Sequence, residues 1–274
     1  MEERRSRLSS MAWKRLHQYS CGLLIPQNSM FSNFCHVLNH EKYNIMYTSK
    51  ELMTRILSDL MQDPYLAQFK LRKSDCFFYM KEGDMRKSIS LQHWSDILAV
   101  HIRPTYGVKF GILMKWFERF SFMTLKDQRY NSEIFFQKIE GITRGRWGNI
   151  YDFDKDGENY IETITTLRED LVNASKFIFN KYNTLETVFQ SEVQPLLEGT
   201  RELGPRDIGA DWIFTDLRLC QLISPKDYPK LKEILMKHFY FMNQRGEPNI
   251  EMYVDKIDEI LAYLDYLAET KKYS

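Results

Sequence analysis

The stretch FKLRKSDCFFYMKEGDMRKSISLQHW, Phe69 to Trp94, decides the fold. Its apolar residues recur at every second position. Phe69 and Leu71 alternate with basic residues, Phe77 and Tyr79 oppose Cys76, Phe78 and Met80, and Ile89, Leu91 and His93 form a further alternating set. A period of two sends successive side chains to opposite faces of a strand. Lys81 to Asp84 reads as a turn, so the two halves predict an antiparallel hairpin. Leu98, Val100 and Ile102 continue the alternation. The result is a meander of about four strands with one face packed on helices.

The flanks are helical. Thr48 and Glu51 make the T-x-x-E capping box, and Leu52, Ile56 and Leu60 then repeat every fourth residue until Asp63-Pro64 stops them. After the meander, Arg103 to Gly107 breaks the alternation. Phe110, Leu113, Met114, Phe117 and Phe120 follow helical spacing, residues 124–132 read as a loop, and Trp147, Ile150, Tyr151 and Phe153 as a short strand. A long helix carries the stripe Ile161, Ile164, Leu167, Leu171, Ala174 and Ile178, breaks near Asn183-Thr184 and resumes at Leu185. Three more helices follow: Trp212 to Ile223, one from Ser224-Pro225 to about Gln244, and one striped by Ile250, Tyr253, Ile257, Ile260, Leu264 and Leu267. The predicted class is α+β, an antiparallel sheet of about four to six strands covered by helices, with a helical C-terminal part. Residues 46–196 form the α+β domain and 197–274 the helical part packed on it.

Residues 1–45 differ. They are rich in arginine and lysine and hold three of the six histidines, but show no sustained period, which predicts a loosely ordered extension. Regular structure begins at once after Met46, which reads like a natural start. Cys21, Cys35, His36 and His40 do not have a usual zinc spacing. Across all 274 residues the net charge is +1, so there is no chain-wide electrostatic footprint for nucleic acid. No apolar run reaches the roughly 20 residues of a membrane helix. The four cysteines stand far apart, Cys76 and Cys220 among apolar neighbours, and a reducing cytoplasm is the simplest home.

Tyr151 to Thr163, YDFDKDGENYIET, carries Asp152, Asp154, Asp156 and Gly157 in the spacing that opens a calcium loop. The twelfth position, which should be a bidentate glutamate, is Thr163, and the preceding residues read as a strand rather than a helix. The alternative is a turn in which Asp154 or Asp156 caps the long helix. No cofactor is expected beyond a weak divalent cation at these aspartates. No nucleotide-binding or hydrolase motif occurs. His93 and His101 lie on neighbouring strands where they could meet across the ladder, and no carboxylate is spaced in sequence to complete a triad. Lys70, Arg72, Lys73, Lys81, Arg86 and Lys87 gather on the first hairpin, without the spacing of a nuclease core. Trp94, Trp116, Phe117, Phe120 and Phe122 read as core.

The order of a capped helix, FKLRKSDCFFYMKEGDMRKSISLQHW, IRPTYGVKFGILMKWFERF, an aromatic strand with an acidic turn, and FIFNKYNTLETVF resembles a family of uncharacterised bacterial proteins with a domain of unknown function. The resemblance covers about residues 46–195. It implies a small α+β protein of a type that often serves as the immunity partner of a secreted toxin, and it transfers no functional residue. The expected function is a non-catalytic protein-binding module such as an immunity or inhibitor protein, with Glu251, Asp255, Asp258, Glu259 and Asp265 on the last helix facing a basic partner. The rival expectation is a metal-dependent hydrolase or nuclease using Asp152, Asp154 and Asp156. A homo-oligomer through the stripe of residues 250–267 is a third, set against packing of that stripe within the chain.

Overall fold

The computed structural model describes residues 46–122, 134–136, 142–146, 149–203 and 210–270. The chain divides into two compact units, Met1–Asn44 and Ile45–Ser274, and every described element lies in the second. The expectations for residues 1–45, for the loop at 124–132 and for Trp147 lie outside the described residues.

Helix α1 (Ser49–Leu60) starts as its sequence dictates. The Thr48 hydroxyl accepts from the Glu51 amide and the Glu51 carboxylate accepts from the Thr48 amide. Such a cap stabilises a helix by about 1 kcal/mol. One face of α1 buries Leu52, Ile56 and Leu60. The chain then builds β1 (Lys70–Arg72), β2 (Phe77–Glu82), β3 (Met85–Ser95) and β4 (Ala99–Phe110) as an antiparallel meander. The turn between β2 and β3 is two residues long, and Gly83 supplies the positive φ that it needs. After β4 comes the short helix α2 (Gly111–Met114), where the Asp84 carboxylate accepts from the Ile112 amide. A Cβ at Gly111 would collide with that carboxylate, so a larger residue there would displace the Asp84 side chain. Strands β5 (Ile134–Phe136) and β6 (Tyr151–Asp154) both pair antiparallel with β4, at its C-terminal and N-terminal halves respectively. The described sheet thus has six strands, in the α+β arrangement.

The sequence placed a break at Arg103–Gly107, yet β4 runs straight through it. The reason lies in the register. Leu91 faces Pro104, and the Leu91 amide donates the other way, to the Cys76 carbonyl. Leu91 and Pro104 therefore form a non-hydrogen-bonded pair, and the nitrogen of Pro104 points away from β3. It points into the interval between β6 and β5, where no ladder bond is lost among the described strands.

Helix α3 (Tyr160–Lys181) lies on the apolar face of the sheet, burying Leu167, Leu171, Ala174 and Ile178. Ile161, expected in that stripe, is 70% exposed: the stripe runs instead through Tyr160 and Ile164, which are buried, and Ile161 lies one position off it. The chain continues through α4 (Leu185–Val188, capped by Thr184), a π-helical turn at Phe189–Val193 and α5 (Gln194–Glu198). Helices α6 (Ala210–Ile223), α7 (Tyr228–Gln244), α8 (Pro248–Glu251) and α9 (Ile257–Thr270) complete it. The single helix expected over Ile250–Leu267 is broken: α8 and α9 are joined by a 3-10 turn at Val254–Lys256. Its stripe is nonetheless wholly buried within the chain. The apolar residues of the sheet, α3 and the C-terminal helices form one continuous core. No helix among the described residues is long and apolar enough to cross a membrane.

Candidate functional site

The second face of the sheet is polar. On β3 and β4 it presents Ser88, Ser90, Gln92 and Trp94 beside Gly107, Thr105, Arg103 and His101. His93 pairs with Ile102 and so faces the other way. The two histidines do not meet across the ladder, because they fall on opposite faces of the pleat.

His101 instead finds two carboxylates. The register of β4 against β6 sets it opposite Asp152, with Nδ1 2.6 Å from Oδ1. Its Nε2 is 3.1 Å from Oδ2 of Asp96, in the loop joining β3 to β4. Asp96 also closes that loop, its Oδ1 accepting from the amides of Leu98 and Ala99 at 2.8 Å. Trp94 stacks on the imidazole at 5.4 Å, and Arg146 reaches the second oxygen of Asp152 at 2.9 Å. The hydrogen bond from Asp152 raises the imidazole's pKa above its ordinary value, against the opposing effect of burial, with Asp96 adding to the rise. The Ala99 amide, then the Leu98 amide and His101, hold the Asp96 carboxyl down at about 2. Protonated, the ring donates from both nitrogens, and neither is left for a substrate. Chemically this is a staple joining three strand ends.

Two side chains of the acidic turn have partners within the fold. Asp152 is held by His101 and Arg146, while an Asp156 oxygen accepts from the Glu158 amide. The Gly157 amide closes the turn onto the Asp154 carbonyl, with Gly157 at φ +79°. Neither Asp154 nor Asp156 caps α3. The N-cap is Asn159, and its side chain reaches back to accept from the Asp154 amide and donate to the Asp152 carbonyl. Burial, and then the charges of Asp156 and Asp152, raise the Asp154 carboxyl above its usual value. No three histidine, cysteine, aspartate or glutamate side chains among the described residues are gathered in a way that could hold a metal ion.

A second acidic group escaped the sequence. Asp170 on α3 is 1% exposed, and it accepts from the Arg144 amide at 2.5 Å, from Arg144 Nε at 2.7 Å and from the Tyr151 hydroxyl at 2.5 Å. Burial, and then this bond, push the Tyr151 phenol well above its ordinary range. Lying beside Leu171 on a helix stripe, Asp170 offered no signal except a charge next to the apolar face.

The last helices present the other predicted acids. Glu251, Asp255, Asp258 and Glu259 are exposed. Glu259 lies 3.4 Å from Arg119, an exposed pair of small energetic weight. Asp265 is half-buried, held by the Tyr228 hydroxyl at 2.7 Å and Lys232 at 2.9 Å, so it belongs to the packing of α9 on α7. Around these carboxylates Met252, Tyr266 and Phe122 are exposed. Phe122 and Trp94 thus depart from the expected aromatic core, whereas Trp116, Phe117 and Phe120 are buried in it. On the first hairpin, Arg72 pairs with Asp75 and Lys87 with Glu82. Comparison with protein-family models, curated proteins and solved structures gave no match.

Proposed function

We propose that this protein is a non-catalytic protein-binding module, in the manner of an immunity or inhibitor protein, whose C-terminal helices receive a basic protein. The observation that carries this reading is the exposed group Glu251, Asp255 and Asp258, which have no described cationic partner, flanked by exposed Met252 and Tyr266. Aromatic and methionine side chains are enriched at protein interfaces, and complementary charge speeds encounter. Because the apolar stripe of α8 and α9 is buried within the chain, it is not exposed to build a homo-oligomer. The buried free thiols of Cys76 and Cys220 suit a reducing cytoplasm. The hydrolase reading has less support, since two of its three aspartates already hold His101, Arg146 and the Glu158 amide.

The test is affinity capture from native cells with the wild type and with a variant carrying Glu251→Lys, Asp255→Lys, Asp258→Lys and Glu259→Lys. One stoichiometric basic protein, released by salt and absent from the variant's eluate, is the expected result. A partner held equally by both would remove the acidic face from the argument. Divalent metal retained by the wild type but not by Asp154→Ala would revive the hydrolase.

A further inference from the structure

A groove of about 1150 Å³ runs between α1 and the edge strand β1, on the opposite side of the sheet from His101, and it is open to solvent along one side. Its size is near the roughly 300–1,000 Å³ typical of small-molecule sites. Its apolar lining is Met53, Leu57 and Met61 from α1 and its C-cap, and Phe69, Leu71 and Cys76 from the β1 region; Ser49, Thr54, Ser58, Ser74 and His93 line it as well. Burial, and then neighbouring Asp75, raise the Cys76 thiol above its ordinary value, so it acts here as a small apolar side chain.

The rim has one sign of charge. Lys50, Lys70 and Lys73 all line the groove, and no aspartate or glutamate does so among the described residues. Nearby Asp75 is turned to Arg72 at 3.6 Å. None of the three ammonium groups has a described carboxylate partner. The hairpin's basic residues are therefore divided. Arg72 and Lys87 are neutralised locally, while Lys70 and Lys73 face a cavity with an apolar floor.

We infer that this groove binds a single-chain anionic amphiphile, a free long-chain carboxylate, with its alkyl chain along the Met53–Leu57–Leu71 floor and its head among Lys50, Lys70 and Lys73. Charge complementarity selects an anion, and lysine stems can lie along apolar surface while their heads reach the carboxylate. The apolar patch of Met53, Leu57 and Leu71 suits an alkyl chain. This site is separate from the acidic face of the C-terminal helices, and either can fail without the other.

The experiment is calorimetric titration of the full chain with dodecanoate below its micellar concentration, beside dodecyltrimethylammonium and dodecanol as cationic and neutral chains of equal length. The expected result is saturable binding of one equivalent of dodecanoate, preferred over the cation by about tenfold or more. A variant with Lys50→Glu, Lys70→Glu and Lys73→Glu alters exposed side chains only, and its melting temperature serves as the check on folding. It should lose the dodecanoate preference and favour the cation, while Ser58→Trp, which narrows the groove, should weaken both. Equal binding of anion and cation by the wild type would overturn the inference. So would undiminished dodecanoate binding by the triple variant, uptake that continues past one equivalent without saturating, or binding only to anionic vesicles or an acidic amphipathic peptide.

Discussion

Acid is used in opposite ways at the two ends of this molecule. Around β6 and α3, Asp152 and Asp170 are drawn into the fold, each answered by an arginine and by a ring that donates to it. On α8, the 3-10 turn after it and the start of α9, Glu251, Asp255 and Asp258 stand in water with nothing described to answer them. In the first region the sequence offers three alternating aspartates and a glycine, which two readings fit, a calcium-like loop and a helix-capping turn. A carboxylate that already holds its hydrogen-bond partners is a fastening, and one held out to solvent without a partner is free to meet another molecule.

That contrast is tested most severely at Asp170. Asp170→Ala leaves the Tyr151 hydroxyl buried without its acceptor and should cost about 3 kcal/mol, read as a lower midpoint in urea unfolding. A loss near zero would mean that the buried acid is not a fastening. Asp152→Ala comes next, at about 1–2 kcal/mol, since it removes acceptors from His101 and Arg146. The same cluster makes stability depend on pH with a defined sign. His101 has a raised pKa when folded, so its contribution is complete below its ordinary value of roughly 6.5 and is lost as pH rises through the folded value. Asp96 runs the other way. Its contribution is present above about 3.8 and is lost as pH falls through about 2. Melting temperatures of wild type and His101→Gln across this range should diverge on the acid side of neutrality and converge in alkali. At the other end of the molecule, each lysine substitution at Glu251, Asp255 or Asp258 should change stability by no more than about 0.5 kcal/mol. The smallest effect is expected from calcium: at about 1 mM, where the weakest natural sites fill, the melting temperature should not move.

What could be read in advance was what is local. The Thr48–Glu51 box lies within four residues, and both of its bonds are present. Alternation from Phe69 to Trp94 gave strands, turn and buried face, and the 3–4 spacing of Ile257, Ile260, Leu264 and Leu267 gave a buried stripe. Non-local register stayed hidden. His101 and Asp152 are 51 residues apart, and only the pairing of β6 with β4 joins them. Pro104 misled because a proline reads as a strand breaker until its nitrogen is known to face no neighbour. Ile161 misled because it is apolar and three residues before Ile164, while the residue that enters the core four positions before Ile164 is Tyr160.

The loop at Asp96 carries a consequence for the order in which the molecule forms. From Met85 to Phe110, β3 and β4 are paired over eleven consecutive positions, and the chain turns between Ser95 and Val100. Closing so short a loop costs little entropy, and each further pair zips from the last, whereas β6 must be brought back across some fifty residues of chain. The two local hairpins, β2–β3 and β3–β4, are therefore expected to form before β6 is added, with Asp96 at the pivot of the second. Asp96→Ala is expected to slow refolding in stopped-flow measurements, while Asp152→Ala, which removes bonds that close late, is expected to hasten unfolding and leave the refolding rate alone.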